Sequence, residues 1–548
     1  MPVITLYYDS LLSLLQKPLS KRDLIETLPY LGLDLEEEAE NHVRVEYNPN
    51  RPDFSSEWGV ARALNGLLGY EKGAPEYTVA KSSVTLKVDQ SIQEARPFFA
   101  GAVVRGVEFD DESIKQILAM QDDLDNGIGR RRAKVSTGIH NLDAVEPPFE
   151  YKAVPPEFRF TPLGYREDMS MKQILKEVET GQTYRHIVEA FPAYPLITDR
   201  DGRVLSFPPI INGETTRVST ETQNLFIDIT STNLKAAEDV LAVLLTALAD
   251  MGGELESIEV QYPTFRKTTP DLTPAKMNVE PSYINGLLGL NLSPTEIVEH
   301  LGRSRITAET DPEVIKAYIP RYRSDILHPV DIAEEVAMGY NIANLTPTLP
   351  ETGFVGKLNS RLEVLDSARE VLVGLGLIEV MNFSLISRET ILRMTGEEPQ
   401  KHLRVGNPKT GEHEYLRDSL IPTLLTTLSK NIHEEYPQRI FEVGKVFYRD
   451  KDKPAEIREE YRVAVAIAHA TANYTEARSH LTALLSQLNG LSCDTKPNED
   501  SVYTPGRAAE TLIEGKSRGK IGEVAPAILE AFSLRVPASA FELNLEDI

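Results

Sequence analysis

Little in the sequence could staple the chain, anchor it in a membrane or bind polyanions by bulk charge. Its 548 residues include one cysteine, Cys493, which excludes an intrachain disulfide and a cysteine-ligated zinc site. No apolar run approaches the ~20 residues that a spanning helix needs. The most apolar stretch, Val240 to Ala249, stops at Asp250 and Gly252-Gly253, so it reads as a buried helix with a glycine C-cap. Positive charge is in deficit: 58 Lys+Arg against 83 Asp+Glu leaves −25. Such a surface repels bulk polyphosphate and argues against a protein that coats duplex DNA, although a local basic patch can still hold RNA. The sequence has no GxxxxGK[ST] loop, no HExxH and no GxSxG, and Gly374-Leu375-Gly376 lacks the third glycine of a dinucleotide loop. The opening Met1 to Tyr8 meets Asp9 without a basic n-region and reads as a first strand rather than a signal peptide. A reducing, cytoplasmic location is the expectation.

What is present is ordinary globular chemistry, 41% hydrophobic and 26% charged. At roughly 150 residues per domain the length predicts three or four domains. Residues 1–80 mix a strand with helices and carry an acidic run, Glu36-Glu37-Glu38, expected on a solvated face. From about 85 to 265 the pattern is α+β, with strands such as Ala100–Val107 and a helix over 233–250. The Pro- and Thr-rich stretch 263–275 reads as a linker. A compact unit follows over 276–346, with helices at 282–289 and 294–301, a strand at 314–319 and a helix after Pro329. A second Pro/Thr linker at 346–350 precedes about 200 residues of α+β pattern.

Three constellations stand out. Asp325, Asp331, Glu334 and Glu335 fall at offsets 0, 6, 9 and 10, the last three on the first turns of one helix. Hard oxygens so grouped suit Mg²⁺, whereas acids at a helix N-terminus also serve the helix dipole. Arg130, Arg131, Arg132 and Lys134 form the densest positive cluster, either a solvated face or an RNA contact. On the predicted strand around Leu225 to Thr230, Asp228 and Thr230 share one face, at a sheet edge or in a pocket.

Several segments together resemble the β subunit of phenylalanine–tRNA ligase in its archaeal/eukaryotic form. They are Asn48-Pro49-Asn50-Arg51-Pro52-Asp53, Gly138-Ile139-His140-Asn141-Leu142-Asp143, Ser206-Phe207-Pro208-Pro209-Ile210-Ile211-Asn212, Arg323-Ser324-Asp325 through Glu335, Asn407-Pro408 with Leu416-Arg417, and Pro505-Gly506-Arg507. The resemblance implies a multidomain α+β chain. Its expected parts are an N-terminal domain over 1–84, a tRNA-editing domain over 85–265, a winged-helix-like domain with Mg²⁺ carboxylates over 276–346, and a class II synthetase-like antiparallel-sheet domain without catalytic motifs over 351–548. It also implies an α-subunit partner in an α2β2 heterotetramer, tRNA-Phe as ligand, ATP used at the α subunit, and hydrolysis of misacylated Tyr-tRNA-Phe. The pocket for that hydrolysis is expected at Leu196, Ser206, Asp228 and Thr230, with His140 as a further polar candidate. The resemblance makes metal binding by the four carboxylates the favoured reading. In Arg439-Ile440-Phe441-Glu442 the arginine that class II cores place two residues before the glutamate is replaced by Ile440, and 540–546 lacks a glycine-framed arginine, so no planar cation is present for ATP phosphates at either place. Two other readings remain: a tRNA-binding scaffold that has lost editing, and a free-standing Mg²⁺-dependent hydrolase.

Overall fold

The central strands of the largest sheet are buried on both faces, so alternate residues feed two different apolar clusters. In the computed structural model, which describes residues 2–311, 313–350, 353–453, 455–488 and 490–546, the Leu225–Ser231 strand sends Leu225, Ile227 and Ile229 into one apolar cluster and Phe226 into another. The first cluster is covered by the helices Asp111–Asn126 and Leu234–Asp250, the second of which is capped by Asn233 accepting from the Ala236 amide. The sheet has ten strands, in the order 211–212, 204–207, 194–198, 149–154, 79–88, 254–261, 98–105, 225–231 and 135–141, with 266–269 added beside 254–261. Leu225–Ser231 therefore lies between two neighbours and is not an edge strand, which removes the sheet-edge reading of Asp228 and Thr230.

The chain divides into two compact units, Met1–Leu349 and Pro350–Ile548. Besides the large sheet, the first unit holds a three-stranded sheet of Val3–Tyr7, His42–Glu46 and Asp34–Glu38, whose last strand carries the exposed acidic run. It also holds a three-stranded sheet of Ala275–Val279, Val314–Ile319 and Thr307–Asp311, packed with the helices Pro281–Leu288, Pro294–Arg303 and Pro329–Tyr340. Each of these helices starts on proline, where the missing N–H would have had no intrahelical partner and φ is preset. The stretch expected to be a linker supplies the strand Arg266–Thr269. Its anchor is distant in sequence: the Thr269 hydroxyl donates to the Gly101 carbonyl at 2.6 Å.

The second unit is a seven-stranded sheet, antiparallel apart from the pairing of Ile378–Glu379 with Gln438–Arg449. Ser360–Gly374 and Tyr474–Gln487 pack on one apolar cluster, Ile421–Lys430 and Pro526–Ala531 on another. Ile440 is buried in the second of these.

Candidate functional site

On the face of the ten-stranded sheet opposite the two helices, four polar side chains from separate elements converge. Asp228 Oδ2 accepts from Ser206 Oγ at 2.9 Å and lies 2.7 Å from His140 Nε2, and His140 Nδ1 lies 2.8 Å from Thr216 Oγ1. Asp228, Ser206, His140 and Thr216 are all essentially buried. Both contacts to Asp228 fall on Oδ2; Oδ1 takes no hydrogen bond among the described residues. The register explains the reach. Asp228 faces Gly138 on one neighbouring strand and Gly101 on the other, so no side chain from either position stands beside the carboxylate. A Cβ at Gly138 would lie 2.5 Å from Asp228 Oδ2 and 2.7 Å from His140 Nε2. Gly138→Ala should therefore break the Asp228–His140 contact, read by NMR as a change in the His140 ring signals.

Two residues along the same face, Thr230 is tied elsewhere. Its hydroxyl accepts from Arg96 Nε at 3.1 Å and its carbonyl from Arg96 Nη2 at 2.8 Å. Arg96 is 1% exposed and has no carboxylate within ion-pair distance among the described residues; burial pulls its pKa down, against the fields of Tyr151, Asp125 and Asp228. Leu196 lies in the apolar cluster with Val204, Phe207 and Ile210. Of the expected pocket residues, the structure links Ser206, Asp228 and His140 directly, holds Thr230 through Arg96, and leaves Leu196 as apolar packing. Thr216 and Arg96 carried no sequence signal, because neither sits in a motif or a periodic pattern.

The chemistry this arrangement allows is restricted. A serine nucleophile needs its proton taken by an adjacent base, most often histidine, but Ser206 donates to the Asp228 carboxylate, and both His140 nitrogens are engaged by Asp228 and Thr216. The cluster is a fixed set of acceptors and donors, suited to recognising a hydroxyl and orienting water rather than to covalent catalysis.

The basic run divides into exposed and buried parts. Arg132 turns inward: Nε lies 3.1 Å from Asp125 Oδ2, Nη1 donates to the Ile210 carbonyl at 3.2 Å, and the guanidinium lies over the Tyr184 ring. Asp125 is buried, and burial pushes its carboxyl up to about 7 against the pull of Arg132. Lys134 is half-buried, while Arg130 and Arg131 are exposed and make no ion pair among the described residues. Arg130, Arg131 and Arg132 all have positive φ, 51°, 52° and 63°. Left-handed backbone costs an L-residue on the order of 1–2 kcal/mol per position.

Two of the four carboxylates pair with an arginine. Arg323 donates from Nε and Nη2 to the two oxygens of Asp325 at 2.9 and 2.7 Å, and from Nη2 to Glu335. Asp331 Oδ2 accepts from the Leu327 and His328 amides, both at 2.7 Å, as a helix cap. Glu334 is exposed and makes no hydrogen bond or ion pair among the described residues; partial burial, then Glu335, Asp331 and Asp325, raise its pKa. No three His, Cys, Asp or Glu side chains among the described residues are placed to hold a metal ion. The expected four-ligand set is thus not assembled here, because Arg323 neutralises two of its members. The donor chemistry still suits Mg²⁺, which binds through one or two carboxylates and keeps its waters, and Asp331 and Glu334 are the pair Arg323 leaves. The same arginine helps hold the Asp53 carboxyl below its usual range: burial is the largest single influence and raises it, but Arg51, Arg323 and Arg62 together outweigh it. The motif around Arg51 and the one around Arg323 are therefore electrostatically joined.

Comparison with known proteins decides the family. Over 549 residues the chain is 41% identical to the phenylalanine–tRNA ligase β subunit of Archaeoglobus fulgidus, spanning 100% of this chain and 98% of that protein. The chain belongs to the phenylalanine–tRNA ligase β-subunit family. The β subunit of Methanococcoides burtonii is 38% identical with both chains fully covered. Residues 277–342 match the tRNA synthetase B5 domain, and 345–545 match the phenylalanyl tRNA synthetase beta chain CLM domain. The crystal structure of an N-terminal fragment of the phenylalanyl-tRNA synthetase β subunit from Pyrococcus horikoshii superposes with a TM-score of 0.60 at 38% identity, covering 62% of this chain and 99% of that one. As in that family, the chain is mixed α+β and multidomain, and no helix among its described residues is long and apolar enough to cross a membrane.

Proposed function

We propose that this β subunit assembles with a catalytic α subunit as α2β2 in the cytoplasm, binds tRNA-Phe, and hydrolyses Tyr-tRNA-Phe made in error, with ATP consumed only at the α subunit. The observation that carries the editing part is the buried Asp228 carboxylate, with one oxygen fixed by Ser206 and His140 and the other left without a protein donor. Such an acceptor selects for a hydroxyl, which is how tyrosine differs from phenylalanine. An apolar synthetic pocket rejects an added hydroxyl only about a hundredfold, so a second site that demands it restores accuracy. Developing negative charge at the ester carbonyl would be met by a backbone amide near Gly138; Gly213, the other candidate, already donates its amide to the Leu205 carbonyl at 2.7 Å. Ile440, buried in an apolar cluster, supports the absence of ATP chemistry in the 350–548 unit. Asp331 and Glu334 are the proposed holders of Mg²⁺, with Asp325 and Glu335 joining if Arg323 lets go; the ion would supply charge neutralisation at that surface.

The enclosure of the whole polar cluster favours a second reading, a scaffold subunit whose editing is lost. Co-expression with the α subunit separates the two. The complex is expected to scatter light as a heterotetramer, contain magnesium, charge tRNA-Phe with phenylalanine and deacylate Tyr-tRNA-Phe, while the β chain alone shows no phenylalanine-dependent ATP–pyrophosphate exchange. A complex that charges normally but leaves Tyr-tRNA-Phe intact selects the scaffold.

A further inference from the structure

We infer that Arg130 and Arg131 form a phosphate-backbone contact for RNA beside the Asp228 cluster, displayed by a strained turn whose other residues exist to hold it. The inference rests on the tRNA-binding reading above and assigns it to particular side chains. Three consecutive arginines in left-handed backbone are a conformation the chain would leave if nothing held it. It is held at every amide: Arg130 N donates to the Gly127 carbonyl, Arg131 N to Asn126, Arg132 N to Asp125 and Lys134 N to Gly129. The Arg132 side chain adds the clamp, reaching Asp125 beneath the turn and the Pro209 and Ile210 carbonyls beyond it.

This placement ties the turn to the site on two sides. Pro209 and Ile210 belong to the loop that follows Ser206. Arg96 bridges the Ala133 carbonyl, at the end of the turn, to Thr230. What the turn projects outward is two guanidinium groups without an ion-pair partner among the described residues, in a chain whose net charge is −25. Guanidinium is suited to bidentate phosphate contact. The turn leads directly into the strand Val135–Asn141, which carries Gly138 and His140 of the Asp228 cluster. Strain that serves display rather than stability predicts opposite effects of one substitution.

The test uses the co-purified α/β complex with a tRNA-Phe transcript, comparing the parent, the double variant Arg130→Gly/Arg131→Gly and the charge-keeping Arg130→Lys/Arg131→Lys. Glycine adopts positive φ freely, so the glycine variant is expected to melt at or above the parental temperature. It should nevertheless bind tRNA about tenfold more weakly, with a salt-dependence slope shallower by one to two, as the loss of about two phosphate contacts requires. The lysine variant should keep the parental slope. An unchanged slope in the glycine variant overturns the inference while the parent's binding leaves the proposed function standing; a parent that binds no tRNA overturns both. Displacement of the parent's tRNA by poly-L-glutamate as readily as by unlabelled RNA of equal charge would also overturn it, in favour of an acidic protein partner.

Discussion

Asp228→Ala in the assembled enzyme is expected to slow deacylation of Tyr-tRNA-Phe by about a hundredfold to a thousandfold, the range seen when one fixed polar group of an active site is deleted, while phenylalanine charging stays near the parental rate. The reason lies in the two oxygens of one carboxylate. Asp228 Oδ2 is the shared acceptor of Ser206 and His140 and Oδ1 is the candidate acceptor for the substrate hydroxyl, so the substitution strands two buried partners and deletes that acceptor as well. Thr230→Val should act less strongly, by roughly tenfold, because it removes only the oxygen that accepts from Arg96 Nε and leaves the Thr230 carbonyl to hold the guanidinium. Single-turnover deacylation at saturating enzyme, beside aminoacylation of the same preparations, measures both. Parental deacylation rates in both variants would place hydroxyl selection elsewhere or make the chain a scaffold. Slowed charging in step with slowed deacylation would instead indicate a general folding defect.

Periodicity made the elements legible and left their polar partnerships hidden. The alternation in Leu225–Ser231 is enough to put Asp228 and Thr230 on one face, and the helices expected from 282, from 294 and after Pro329 begin within a residue of those positions. Composition misread 263–275: proline and threonine signal a loop, but Thr269 has a buried partner in Gly101, 168 residues away in sequence. The candidate site was half legible for the same reason. His140 and Asp228 are 88 residues apart, and no local rule joins them, although each lies in a segment that the family resemblance singled out. Asp331, Glu334 and Glu335 were correctly placed on the first turns of one helix with Asp325 upstream of it, yet the residue that organises two of the four is Arg323, two positions before the first. In the basic run, charge density could not show that Arg132 faces inward while its two predecessors face out, since that depends on Asp125 and on a loop beyond residue 208.

A similar hidden pairing governs the second unit, and it carries the largest expected loss of stability. Arg417 Nη1 lies 2.7 Å from Glu442 Oε1, with both side chains 2% exposed. The pair is well supported: Arg417 Nε donates to the Lys445 carbonyl at 3.0 Å, and Asn382 Nδ2 donates to Glu442 Oε2 at 2.8 Å. It also dictates a glycine, because a Cβ at Gly444 would lie 2.4 Å from Arg417 Nη2. A buried pair of this kind is a poor source of net stability, but removing one partner leaves the other charged and dry, typically at a loss of about 3–5 kcal/mol. Arg417→Met alone is therefore expected to loosen the Gln438–Arg449 and Ile457–Ala468 strands by that order, read as faster amide hydrogen exchange there while the exchange of Leu225–Ser231 is unchanged. Adding Glu442→Leu should restore most of the protection, since an apolar pair needs no counter-charge, though Asn382 then loses an acceptor and recovery stays incomplete. Equal damage in the single and double variants would mean that the packing of the arginine stem, rather than the ion pair, holds these strands. Recovery in the double variant would assign Glu442 a structural role as the buried partner of Arg417.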